Sequence, residues 1–173
     1  MFDTLKFEKS DELTMVLTRR FDAPRDLVFA AYTTPALMRR WLIGPPGWTM
    51  QACEFKPVAG FRYRLTWRND ADQGQQFGLG GTVLEIDPPQ RMVTTELFDG
   101  QGPEAESVQT IELTEDGGIT LLVQTNRYPT AALCDASYGY HKDGGMDGTF
   151  DLLENLLEQL KSEPQPNQSA IRT

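Results

Sequence analysis

His141 is the only histidine of the 173-residue chain and its clearest candidate for proton transfer. It stands among Tyr138 and Tyr140, and two carboxylates, Asp135 and Asp143, are close in sequence. An imidazole whose pKa is near 6.5 can act as a general base when a carboxylate orients it. A single histidine in a polar segment is more often a surface residue, so catalysis is the minority interpretation.

A strand with one aromatic face is the most informative candidate for ligand binding. In residues 60–68, Phe61, Tyr63, Leu65 and Trp67 alternate with arginines, so they share one face. Tyr63 and Trp67 combine an apolar body with a polar atom, which is typical of residues that line a cavity. The same pattern also fits an ordinary packed core, and the two interpretations are compatible.

Two tryptophans, Trp41 and Trp48, flank the helix-ending turn Gly44-Pro-Pro-Gly47. Trp48 could lie at the rim of a cavity, or it could plug the core as a buried apolar side chain. The sequence slightly favours the second interpretation.

No metal or organic cofactor is expected from the sequence. The chain has two cysteines, Cys53 and Cys134, which are far apart in sequence, and one histidine. This set forms neither a disulfide framework nor a zinc-binding motif. The glycines at 78, 80 and 81 lie inside a predicted strand, so they are not a dinucleotide-binding turn.

The charge of the chain argues against nucleic acid and anionic membranes as partners. Lys and Arg number 16 against 25 Asp and Glu, a formal net charge of −9. Residues 1–68 carry +4 and residues 69–173 carry −13, which sum to −9. Affinity for phosphate backbones and anionic lipid requires an excess of cations. The sequence shows no signal peptide and no long apolar run, so we expect a cytoplasmic protein.

The elements that position these residues follow from the hydrophobic periodicity. Residues 13–21 alternate as one strand, and two short helices follow, opening near Pro24 and Pro35, with Asp22 or the residues beside it as the candidate cap of the first. From residue 48 to residue 127 apolar and polar residues alternate with a period of two. Six further strands are predicted at 50–56, 61–68, 77–86, 92–98, 106–114 and 119–127. Their short connections predict an antiparallel meander.

A loop from Tyr128 to Asp143 and a long amphipathic helix over 143–161, capped by Asp143, complete the prediction. The apolar stripe of this helix must pack against the sheet; its members are Met146, Phe150, Leu153, Leu157 and Leu160. The expected organisation is a charged lead-in at 1–12, one α+β domain at 13–161, and a disordered tail at 162–173.

The stretch RFDAPRDLVFAAYTTP from Arg20 to Pro35, followed by Trp41, resembles the opening of a known family. This family is similar to the C-terminal domain of the activator of the ninety-kilodalton heat-shock chaperone ATPase (AHSA-type). Residues 58–63 and 81–93 and the closing helix agree with it. The resemblance covers roughly residues 13–161 and implies the START-like helix-grip (SRPBCC) fold, in which a curved sheet holds one long helix.

We therefore expect a protein that binds a small apolar or amphipathic molecule between the sheet and the long helix. The expected lining residues are Phe61, Tyr63, Leu65, Trp67, Trp41, Trp48, Met146 and Phe150. The resemblance leaves two alternatives open, a co-chaperone of a heat-shock chaperone ATPase and a cyclase-, aromatase- or hydrolase-type enzyme. Monomer and homodimer are both compatible with the sequence.

Overall fold

One antiparallel sheet dominates the computed structural model, which describes residues 5–72 and 74–163. In this part of the chain eight strands are hydrogen-bonded in the order β1-β2-β8-β7-β6-β5-β4-β3. Their bounds are β1 Lys6–Lys9, β2 Thr14–Phe21, β3 Trp48–Glu54, β4 Arg62–Asn69, β5 Gln76–Asp87, β6 Arg91–Phe98, β7 Ser107–Asp116 and β8 Ile119–Arg127.

In the same described ranges, two pairs of helices accompany the sheet. Helices α1 (Arg25–Thr33) and α2 (Pro35–Trp41) connect β2 to β3, and α3 (Ala131–Lys142) and α4 (Asp147–Ser162) follow β8. A 3₁₀ turn, Pro103–Ala105, precedes β7. This arrangement confirms the predicted α+β helix-grip class with a C-terminal helix on an antiparallel sheet.

The seven predicted strands are present with ends that agree within two residues, and one strand was missed. Residues 6–9, predicted as part of the lead-in, form β1 and pair with residues 15–18 of β2. Only Phe7 among these four residues could pack against the protein with an apolar side chain, and it is half-buried. Four residues with one apolar member show no measurable period, so the pattern could not predict this strand.

The predicted loop from Tyr128 to Asp143 was wrong, because most of it forms α3. Thr130 caps this helix by accepting the backbone N–H of Leu133 at 3.3 Å. Cys134 is its only fully buried residue, so the apolar stripe was too weak to predict a helix. Asp143 follows the end of α3 and does not cap the last helix, which begins at Asp147. Gly144, with a φ of 84°, separates the two helices.

The cap of α1 also differs from the prediction. Pro24 occupies the N-cap position with no side-chain bond, and the Arg25 N–H donates to the Glu115 carboxylate of β7 at 2.9 Å. The expected cap, Asp22, instead offers its backbone carbonyl to Lys161 of α4 at 2.5 Å. The acceptor for a free backbone N–H at the start of α1 therefore comes from the distant Glu115 carboxylate and not from a neighbouring side chain.

The core lies between the sheet and α1, α2 and α4. The buried stripe of α4 consists of Phe150, Leu153, Leu156 and Leu157. These side chains join Leu17, Phe21 and the aromatic face of β4 in one hydrophobic cluster. Of the predicted tail, residue 162 ends α4, and residues 164–173 lie outside the described residues.

Candidate functional site

Arg19 of β2 identifies which face of the sheet points towards α4. Its guanidinium donates to Glu154 Oε2 at 2.7 Å and to Asp151 Oδ1 at 3.2 Å, both on α4. The Arg19 side chain is 5% exposed. Because side chains alternate along a strand and opposite residues share a face, the strand register then assigns the inner face of every neighbouring strand.

Polar side chains occupy the inner face of the three strands β6, β7 and β8 at one end of the sheet. Asn126 of β8 pairs with Gln109 of β7, which pairs with Thr94 of β6, and Glu96 pairs with Ser107. We call this set the polar inner face; its members are Thr94, Glu96, Ser107, Gln109, Gln124 and Asn126. All are buried except Glu96 and Gln109, which are half-buried. The surface facing the helices is therefore polar here and still partly open.

Two phenols border the polar inner face. The Tyr63 hydroxyl donates to the backbone carbonyl of Thr95 at 2.6 Å, and the Tyr128 hydroxyl lies 2.6 Å from Ser137 Oγ on α3. Tyr63 pairs in the ladder with Gly81 of β5, where an added Cβ would lie 1.9 Å from the Thr95 carbonyl oxygen. Glycine at this position is what allows β5 and β6 to approach so closely.

Glu96 is the ionisable member of the polar inner face. Burial raises the pKa of its carboxyl from an ordinary 4.5 to about 7. Burial also raises the pKa of Tyr63 and of Tyr128, and the negative charge of Glu96 adds to both effects. A carboxyl that titrates near neutrality inside a protein is a feature of functional sites more often than of ordinary surfaces.

At the other end of the sheet the predicted aromatic lining is closely packed. Trp67 Nε1 donates to the Leu42 carbonyl at 2.8 Å, and its ring stacks on Phe77 at a centroid distance of 4.9 Å. Trp48 meets the same Phe77 edge-on at 5.0 Å. The structure therefore brings Trp48 and Trp67 together through a third ring, and the indole N–H of Trp67 is used by the protein itself.

The remaining predicted lining residues occupy different surroundings. Trp41 packs on Tyr32 at 4.9 Å and donates to the Ala31 carbonyl at 2.9 Å, separate from the other tryptophans. Leu65 and Phe150 belong to the buried core, and Phe61 and Met146 are half-buried against it. Whether any of these side chains contacts a ligand stays a prediction.

His141 of α3 is half-buried and is not oriented by either expected carboxylate. Its Nδ1 lies 2.8 Å from the Ser137 carbonyl, and burial lowers the pKa of the imidazole. Asp135 bonds to Lys9 of β1, and Asp143 follows the helix. Asp135 and His141 are six positions apart on the helix, which places them about 120° apart around the axis. The hypothesis of a carboxylate-oriented base thus finds no geometric support.

The polar inner face was missed by sequence reasoning. In β8 the buried positions are Leu122, Gln124 and Asn126, whereas Leu121 and Val123 on the other face are half-buried. The usual assumption that the more apolar face of a strand points to the core therefore selects the wrong face of β8. The one available signal was the presence of amides in the middle of apolar strands, and that signal gives no direction.

Other kinds of site find less support in the described residues. Within 5–72 and 74–163 no three His, Cys, Asp or Glu side chains are grouped so that they could hold a metal ion. Of the helices in these same ranges, none combines the length and apolarity that crossing a bilayer requires. A wide depression of about 500 Å³ at the end of α4 is lined by Glu158, Gln159, Ser162 and Glu163, far along the helix from the polar inner face.

The sheet, the helix order and the position of α4 define a START-like helix-grip protein of the SRPBCC class. A crystal structure of a protein from Rhodobacter sphaeroides is similar, with 28% identity and a TM-score of 0.81 over 90% of this chain and 99% of that chain. One from Mesorhizobium loti shows 26% identity and a TM-score of 0.64 over 87% and 99%. A solution structure from Staphylococcus epidermidis has 24% identity and a TM-score of 0.75 over 94% and 99%, which shows the fold alone.

The family is given by a match over residues 22–158 to the model described as Activator of Hsp90 ATPase homolog 1-like protein. The chain belongs to this family, as the stretch from Arg20 to Pro35 had indicated. No protein with a curated description matches this sequence.

Proposed function

We propose that this protein binds a small amphipathic molecule in the space between the polar inner face and the helices α3 and α4. The observation that carries the proposal is the character of that face. Six polar side chains point towards the helices where a folded domain ordinarily buries apolar ones. Part of this face is paired within the protein, since Gln124 Nε2 donates to Asn126 Oδ1 at 3.3 Å and Ser107 Oγ donates to the Glu96 backbone carbonyl at 3.4 Å. A ligand can supply partners for the half-buried members, Glu96 and Gln109, because a polar group that leaves water without a partner is costly.

The two ends of the interior suit the two parts of an amphipathic molecule. At the aromatic end, Trp67 and Leu65 are buried and the indole N–H is satisfied by a carbonyl. The polar end contains three half-buried side chains. Two lie on the polar inner face, Glu96 and Gln109, and Tyr128 borders it. A ligand entering at the polar end would keep its polar group near these side chains and place its apolar part against Met146 and the core.

A pair of variants on one strand tests this location. Gln109→Trp adds a large side chain on the inner face of β7, whereas Thr110→Trp adds the same side chain on the outer face. Native mass spectrometry and chemical-shift titration with amphipathic probes should show binding to the wild type and to Thr110→Trp, and a loss of at least about tenfold in affinity for Gln109→Trp.

The pattern of chemical shifts decides the outcome. Binding at the proposed place shifts the amides of Glu96, Asn126 and Tyr128. Shifts confined to the outer arginines of β4, Arg62 and Arg64, or no shift at all, would refute the proposal. Urea unfolding of both tryptophan variants shows whether the loss of binding reflects blocking of the site or loss of the fold.

A co-chaperone role is the second candidate, and the family match over residues 22–158 is the observation that favours it. The measurement is the ATPase rate of a bacterial ninety-kilodalton heat-shock chaperone with increasing amounts of this protein. A rate that rises saturably supports the role. An unchanged rate counts against it and leaves the ligand-binding proposal untouched.

A further inference from the structure

The carboxyl of Glu96 is an acceptor for which the protein provides no donor. Among the residues that the structure describes, no donor bonds to its carboxyl oxygens, and Ser107 Oγ bonds at 3.4 Å to its backbone carbonyl instead. Burial raises the pKa of the side chain, and no neighbouring cation opposes this effect. An ionised carboxyl in such surroundings is unfavourable until a donor reaches it.

The side chains near Glu96 do not supply a positive charge. Tyr63 of β4 and Tyr128 after β8 are neutral phenols that feel its charge, and Glu106 is a further carboxylate near Tyr63. Ser107, opposite Glu96 on β7, is a neutral hydroxyl.

Three titratable groups of the helices after β8 are engaged elsewhere. On α4, Asp151 and Glu154 are bound by Arg19 of β2. On α3, the ring of His141 packs against Phe7 of β1 at 5.0 Å. Among the described residues, the polar inner face therefore offers one acceptor that can become negative, and no cation influences the pKa of its carboxyl.

We propose that the molecule bound over the polar inner face carries a protonated amine that pairs with the Glu96 carboxylate. This inference rests on the proposed function and adds the chemical class of the ligand, an apolar body with a basic amine at one end. A charge-assisted bond from an ammonium group is about twice as strong as a bond between neutral groups. An anionic head group would instead meet the repulsion of Glu96 and leave it without a donor.

Three probes with the same ten-carbon chain separate the head group from the apolar body: decylammonium, 1-decanol and decanoate, each used below its critical micelle concentration. At pH 8 the wild type should bind decylammonium at least about tenfold more tightly than decanoate, with 1-decanol between them. Because the Glu96 carboxyl of the free protein titrates at about 7, decylammonium should bind about tenfold more weakly at pH 6 than at pH 8.

Glu96→Gln is the decisive variant, since it keeps the size of the side chain and removes its charge. It should abolish both the preference for decylammonium and its pH dependence while 1-decanol still binds. Glu54→Gln is the matched control, because it removes the same charge from an exposed position on β3. The preference should persist in this control, which accounts for the general attraction of a chain with net charge −9 for cations.

The outcomes separate this inference from the proposed function. If 1-decanol and decanoate bind inside as tightly as decylammonium, or if Glu96→Gln keeps the preference, the amine assignment is refuted and the ligand site stands. If none of the three probes shifts the amides of the polar inner face, both proposals fail.

Discussion

Replacing Glu96 with glutamine should stabilise the folded protein at pH 8 and have little effect at pH 4. In the native state burial holds the carboxyl neutral up to about pH 7, whereas in the unfolded chain it ionises with the ordinary pKa of 4.5. A raised carboxyl pKa means that the native state binds the proton more tightly. The wild type therefore loses stability as the pH rises from 4.5 to 7, and the loss is complete above that range.

The magnitude follows from the two pKa values. A pKa difference of about 2.5 corresponds to about 3 kcal/mol, at 1.36 kcal/mol for each pKa unit. Glu96 is half-buried, and solvent reduces the effect, so we expect about 1–3 kcal/mol. Glutamine has nearly the same shape and does not ionise, so the variant avoids this loss. The difference in unfolding free energy between variant and wild type should grow by this amount between pH 4 and pH 8.

Urea unfolding of both proteins at pH 4, 5, 6, 7 and 8 measures this difference directly. Other groups also titrate in this range, and His141 is one of them. Burial lowers the pKa of this imidazole below 6.5, so its contribution to stability is lost as the pH falls. That trend opposes the trend of Glu96. Subtracting the unfolding free energy of the wild type from that of Glu96→Gln cancels the contribution of His141, provided that the two groups act independently.

A flat difference refutes the reasoning. If Glu96→Gln and the wild type differ by the same amount at pH 4 and pH 8, within about 0.5 kcal/mol, the carboxyl is not enclosed as described. Both proposals that use the polar inner face would then lose their main support. Glu54→Gln, the exposed control on β3, shows how much of any change arises from the substitution itself.

Two further predictions concern the packing around the site. Glu154→Gln should lower the free energy of unfolding by about 2–3 kcal/mol, because the buried Arg19 guanidinium then keeps only the exposed Asp151 carboxylate as a charged partner. Adding Arg19→Met should recover part of this loss. Equal and additive losses in urea unfolding would argue against coupling of the pair. Gly44→Ala should destabilise more than Gly47→Ala by about 1–3 kcal/mol. Both glycines have φ near 80°, but an added Cβ at Gly44 lies 2.8 Å from the Trp67 ring, and at Gly47 it meets nothing. Equal losses would contradict this.

The order of elements was predictable because each one is encoded by its own local pattern. The alternation in β4 and the steps of three and four in α4 appear within single segments, and proline and glycine mark their ends. The two elements that were missed, β1 and α3, have few buried apolar residues: none of β1 is fully buried, and α3 buries only Cys134. Long-range pairing with β2 and packing on β1 stabilise them, and no local pattern reports such contacts.

The candidate site likewise has features that local sequence patterns predict and features that depend on long-range contacts. The sequence alone determined the family, the class of fold, the aromatic face of β4 and the apolar stripe of α4, because these depend on residue types at fixed spacing. Only the tertiary structure decided that Gln124 and Asn126 face the helices and that Glu96 lies beside Tyr63 and Tyr128. The physical reason is that a strand has two faces of equal geometry, and a shift of one residue in register exchanges them. Burial then gives an ordinary glutamate its raised pKa, and burial belongs to the folded chain.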